Sequence, residues 1–178
     1  MQDQPMTEPS TPERQKSTSP WVILLVVLLT GMAGPINYYK VPPLMPFLMA
    51  AFHLSGGVAG FLMSVFAVVG IILSIPAGFI LHKLGYRLTG LMAVGWVAAG
   101  AGLGALATGS VALLSTRLME GVGLNLLAVV SPTIVALHFE GRRRAIGVSI
   151  WNAWYPLGST VTFLIAPFLA FHWGWRSV

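Results

Sequence analysis

The sequence predicts an all-α membrane protein with about five transmembrane helices. Three observations carry this. Hydrophobic residues make up 56% of the 178 and charged residues only 8%, with a mean hydropathy of +0.79, which is a membrane composition and not a globular one. The charges stand in short clusters between long apolar runs: Lys83 and Arg87 are the only ones between Lys40 and Arg117. Each run is long enough for a helix to cross a bilayer, which takes roughly 20 residues.

Other classes are weakly supported. The net charge of +5 forms no basic face interleaved with aromatics, so nucleic acid is not an expected partner. Zero cysteines exclude disulfides, thiolate metal sites and a thiol nucleophile. His53, His82, His138 and His172 are scattered near span ends, and Glu120 is the one acid inside a span. No metal site, cofactor or enzyme constellation is therefore expected.

Residues 1–20 are polar and rich in Pro, Ser, Thr, Gln and Glu, the composition of a disordered tail. Asp3, Glu8 and Glu13 weigh against a signal peptide. Span 1, about residues 21–51, has an unusual middle: Gly34, Pro35, Asn37, Tyr38, Tyr39, Lys40, Pro42 and Pro43. Prolines free backbone carbonyls, which is tolerated at membrane depth only where protein or water satisfies them. Two readings stay open for Lys40, a cavity-lining charge or a headgroup anchor. Span 2, about residues 57–81, spaces Gly60, Ser64, Ala67, Gly70 and Ser74 as one small-residue stripe for helix contact. Pro76 stands one turn before a basic turn, Gly78 to Gly90, that separates spans 2 and 3. Span 3, about residues 88–108, contains Gly100-x-x-x-Gly104, which permits close backbone approach.

Span 4, about residues 111–138, carries Arg117 and Glu120, three apart and so on one helix face. Intramembrane charges usually face a cavity or each other. They read either as a self-neutralising packing pair or as a site. A second basic loop, Phe139 to Arg144, leads to span 5, about residues 145–171, where Trp151 and Tyr155 share a face and Asn152 offers hydrogen bonds. Arg14, Lys16, Lys83, Arg87 and Arg142 to Arg144 fall on one side, against Lys40 and Arg176 on the other. The positive-inside rule then places the amino terminus in the cytoplasm of a multi-pass protein of the inner or plasma membrane.

Gly78, Lys83, Gly85 and Arg87 resemble the loop signature between helices 2 and 3 of the major facilitator superfamily. His82 stands where that family usually has aspartate, and Tyr86 where a basic residue is common. Arg117-x-x-x-Gly121-x-Gly123 is similar to the family's helix 4 signature, with Glu120 replacing a glutamine. Gly85-Tyr86-Arg87 recurs 89 residues later as Gly174-Trp175-Arg176, as in the superfamily's nested three-helix repeats. The antiporter signature of helix 5 is absent; Ala166-Pro167 is a remnant at best.

The resemblance implies a partial bundle, about five of twelve helices over residues 21–178, with helices 6–12 supplied by a continuation or a partner chain. It implies secondary transport of a small solute by alternating access, with Asn37, Tyr38, Tyr39, Lys40, Arg117, Glu120 and Asn152 as cavity residues. Gly78, His82, Lys83, Gly85 and Arg87 would form the cytoplasmic gating loop. Lys40 and Arg117 make the visible half-cavity positive, favouring an anion or carboxylate metabolite. Proton coupling follows if Glu120 or a histidine titrates, and a symporter or uniporter fits better than an antiporter. The alternative is a truncated, non-transporting protein or a half-transporter that needs a partner.

Overall fold

The computed structural model describes residues 19–175 and 178; the tail expected over residues 1–20 lies outside these apart from its last two positions, as does Arg176. Among the described residues the chain is helical and forms no strands. The helices are α1 (Pro20–Tyr39), α2 (Val41–Phe52), α3 (Gly56–Leu73), α4 (Pro76–Ala105), α5 (Ser110–His138), α6 (Gly141–Trp151) and α7 (Trp154–Trp173). Five segments are long and apolar enough to cross a membrane: Pro20–Tyr39, Gly56–Leu73, Pro76–Ala105, Ser110–His138 and Gly141–Trp173.

The breaks follow from local chemistry. Span 1 is two helices in line, α1 and α2, interrupted at Lys40. Pro42 and Pro43 lack the N–H groups that would continue the ladder from the last turn of α1. Pro35, inside α1, is buried against Gly158 of α7, where an added Cβ would lie 2.5 Å from Pro35 Cγ and 3.0 Å from Met32 O. Span 5 is likewise divided, with the turn at Asn152 and Ala153 separating α6 from α7. Trp151 is buried and Tyr155 is exposed.

The basic turn is narrower than its sequence suggests. Helix runs on both sides of Gly85, and only that residue leaves helical geometry, at φ 73° and ψ 167°. Pro76 opens α4 after a turn at Ser74 and Ile75. The second basic loop also contracts to Phe139 and Glu140, with Arg142 to Arg144 in the first turns of α6. Gly174 has φ 82° and ψ 160°, close to Gly85, so the two repeat glycines share one backbone conformation.

Only glycine occupies that region freely, and a Cβ at Gly85 would meet nothing within 4 Å. Gly85→Ala is therefore expected to destabilise by conformational strain alone, by roughly 1–3 kcal/mol. Thermal unfolding of the purified chain checks it, and an unchanged midpoint would refute it.

Helix α5 is the hub. It packs most extensively on α4, then on α3 and α1, while α7 pairs with α1. Three apolar clusters stack along the bundle. At one end Leu24, Val27, Val135, Phe139, Trp151 and Trp154 gather. In the middle lie Ala77, Ala93, Val97, Leu126 and Leu127. At the other end Leu44, Leu48, Leu62, Leu113 and Ala170 meet. Both basic segments share the first end: Trp21 meets Phe139 with ring centroids 5.1 Å apart, and Tyr86 lies 6.5 Å from His138.

Of the two small-residue patterns, one makes the packing. Gly100 and Gly104 both face α5, where a Cβ on Gly104 would meet Thr116 Oγ1 at 3.3 Å. The stripe on α3 does not serve this way: Gly60, Ser64, Ala67 and Ser74 are exposed, and Gly70 alone faces α5. The buried face of α3 is made instead by Ala59, Leu62, Val65, Phe66 and Val69. Among lipid tails helix contact rests on van der Waals fit, which small residues serve where backbones come close.

Candidate functional site

The site begins where α1 stops. The last-turn carbonyls of a helix lack intrahelical donors, and Pro42 and Pro43 have no N–H to offer Tyr38 O and Tyr39 O. Asn37 O accepts from Arg117 Nη1 of α5 at 2.8 Å. The Asn37 side chain is fixed at its other end by Nδ2 donating to Ala33 O at 2.9 Å. Its Oδ1 accepts from Lys40 Nζ at 2.8 Å.

Lys40 Nζ also donates to Glu120 Oε1 at 3.1 Å. Arg117 Nη2 pairs with Glu120 Oε2 at 2.5 Å across one helix turn. That contact is an ion pair rather than an aligned hydrogen bond, so Glu120 Oε2 and the buried Arg117 Nε have no hydrogen-bond partner among the described residues. The three charged side chains thus form one cluster joining two inverted helices. Lys40 is 7% exposed, Arg117 2% and Glu120 0%.

Lys40 turns inward toward Glu120 and makes a triad of the Arg117–Glu120 pair. Gly100 makes room for it: a Cβ there would lie 2.6 Å from Glu120 Cγ and 3.0 Å from Glu120 N. The spacing of α4 and α5 therefore seats the carboxylate.

A cavity of about 40 Å³ adjoins both cations, walled by Leu44, Ala101, Gly104 and Leu113. On another side Arg117 lies over the Phe66 ring, 5.6 Å from its centroid. From Phe66 an aromatic arc crosses three helices. Tyr38 meets Phe66 at 5.0 Å and Tyr39 at 4.8 Å. Tyr39 in turn meets Tyr155 at 5.6 Å and Phe163 at 5.5 Å. Tyr39 ends a 20-residue helix that a 12-residue helix continues.

Asn37, Tyr38, Tyr39, Lys40, Arg117 and Glu120 are thereby brought together. Asn152 is not: it is exposed at the end of α6, outside the ion cluster and the arc. Asn125 is a residue the sequence reading missed. It stands two turns from Arg117 on the same face of α5, donates to Gly121 O at 2.8 Å and lines Gly70 of α3. Its spacing of four from Gly121 within a span was the available signal. Gly78, His82, Lys83, Gly85 and Arg87, expected to form the gating loop, are all exposed near the basic end. Arg87 stacks over Tyr86 at 5.8 Å.

Comparison with known proteins agrees with this architecture. The chain is similar to a hexuronate transporter of Bacillus subtilis (strain 168), at 29% identity over 156 residues, covering 86% of this chain and 37% of that protein. It is similar to the cyanate transport protein CynX of Escherichia coli (strain K12), at 27% identity over 150 residues, covering 84% and 39%. The chain thus spans less than two-fifths of the length of either relative. The family model of the Major Facilitator Superfamily matches residues 17–178. With that match over the whole helical region, the chain belongs to the major facilitator superfamily.

Proposed function

We propose that the chain is the amino-terminal part of a secondary transporter that moves a small anion by alternating access. The observation that carries this is the buried triad, in which two cations share one carboxylate between helix segments broken at membrane depth. Burying charge is costly unless it is paired, and an intramembrane ionisable group is a functional candidate by default. The two relatives support an anionic solute, since hexuronates are carboxylates and cyanate is a small anion. The family supports a transporter over an enzyme.

In this reading the amino terminus is cytoplasmic and the basic segments around Lys83, Arg87 and Arg142 to Arg144 stay inside, in an inner or plasma membrane. Alternating access needs a second half facing the aromatic arc, and the greater length of both relatives favours helices supplied by a continuation or a partner chain. That same difference in length favours a second reading, a chain that does not transport alone.

Uptake into proteoliposomes separates the two. Labelled uronate or cyanate is offered to the 178-residue chain alone and to the chain together with the completing helices. Uptake is expected only in the second preparation. Uptake in neither would overturn the transport reading.

A further inference from the structure

Arg117 is held by its edge from two helices, and its flat face lies over a ring from a third. Nη1 donates to Asn37 O of α1 at 2.8 Å, and Nη2 pairs with Glu120 on α5 itself. The third contact comes from α3, where the guanidinium carbon stands 5.6 Å from the Phe66 ring centroid. That is within the roughly 6 Å over which an aromatic face attracts a cation, and a delocalised guanidinium stacks on such faces. Phe66 is 4% exposed and Arg117 2%, so little water screens the attraction. The rest of the buried face of α3 is aliphatic, with Ala59, Leu62, Val65 and Val69. Tyr38 of α1 meets the same ring nearly at right angles, with centroids 5.0 Å apart.

The ring matters because Arg117 has a local alternative. Glu120 stands three residues on along the same helix, within reach of both terminal nitrogens of the fork. Folding onto the carboxylate in that way would turn the fork from α1 and give up Asn37 O. It would also carry the guanidinium face off Phe66, so the ring opposes it.

We propose that Phe66 is a positioning residue of the site: its ring face keeps the Arg117 guanidinium turned toward α1, and anion binding depends on that face and not on bulk alone. The inference rests on the anion-binding reading above. An anion gains nothing from the ring itself, whose face carries the negative part of the aromatic quadrupole. Phe66 therefore acts through Arg117 and not by touching the solute.

Replacing Phe66 with mono-, di- and trifluorophenylalanine tests this, because fluorine withdraws charge from the ring face in steps while nearly keeping its shape. Binding is measured by calorimetry on the 178-residue chain in lipid nanodiscs, with glucuronate and cyanate as probes. Both affinities are expected to fall step by step, by about tenfold at the trifluoro ring. Phe66→Leu, which keeps apolar bulk without a ring, is expected to lose at least as much. The same fluorine series at Phe61, exposed on α3, is the control and should leave both affinities unchanged. A flat series at Phe66 in a chain whose wild type binds overturns the proposal, even if Phe66→Leu fails to fold. An equal decline at Phe61 overturns it too. Failure of both probes to bind the wild type overturns the anion-site reading itself, and the proposal with it.

Discussion

Arg117→Ala is expected to abolish anion uptake by the completed transporter while insertion into the membrane persists. The two readouts separate because the arginine has opposite effects on them. For insertion, an arginine within a span is costly, so alanine makes α5 easier to insert. For the site, the guanidinium holds Glu120 through Nη2 and Asn37 O through Nη1. Its removal leaves a last-turn carbonyl of α1 without this donor and the carboxylate with Lys40 alone. Breaking a buried pair typically costs about 3–5 kcal/mol, which exceeds the two decades in affinity that about 2.8 kcal/mol represents. Uptake should therefore fall at least about a hundredfold. Arg117→Lys keeps the charge but loses the planar fork that reaches two acceptors at once, and an intermediate rate is expected. Undiminished uptake by Arg117→Ala would remove this residue from the site.

Hydropathy and charge spacing made the spans legible, because those signals are local. The Arg117–Glu120 pair was legible for the same reason, since three residues apart means one helix face. The third member was not: Lys40 and Glu120 are 80 residues apart, and only packing of α1 and α2 against α5 shows that they meet. Pro42 and Pro43 did mark the break after α1, but nothing in the sequence said that an arginine would meet Asn37 O there. Small residues at helical spacing serve close contact where another backbone is present. Gly100 has one in α5, and Gly60 has none within 4 Å. Asn152 was expected in the cavity because its amide can hydrogen-bond a solute; it is exposed at the end of α6, while Tyr155, three residues on, meets Tyr39.

The contact of α4 with α5 is the one this bundle can least afford to widen, and Gly123→Leu is expected to open it. A Cβ at Gly123 would lie 2.6 Å from Ala93 O and 2.8 Å from Val97 N. Those are backbone atoms of a helix and cannot rotate away, unlike a flexible side chain. In a membrane the apolar side chains gain nothing by leaving lipid for protein, so helix association depends on close van der Waals fit. Forcing the helices apart forfeits that fit, at about 1–3 kcal/mol or more for an overpacked site. It also moves Gly100 off Glu120 and so disturbs the triad from a distance. The expected result is a lower thermal midpoint with helical content retained, and a loss of anion binding beyond what stability explains. Gly95→Leu is the control, because a Cβ at Gly95 meets nothing within 4 Å; it should leave both readouts unchanged. If Gly123→Leu matches Gly95→Leu in both, α4 does not press on α5 as described, and the seat of Glu120 must be made by α1 and α2 alone.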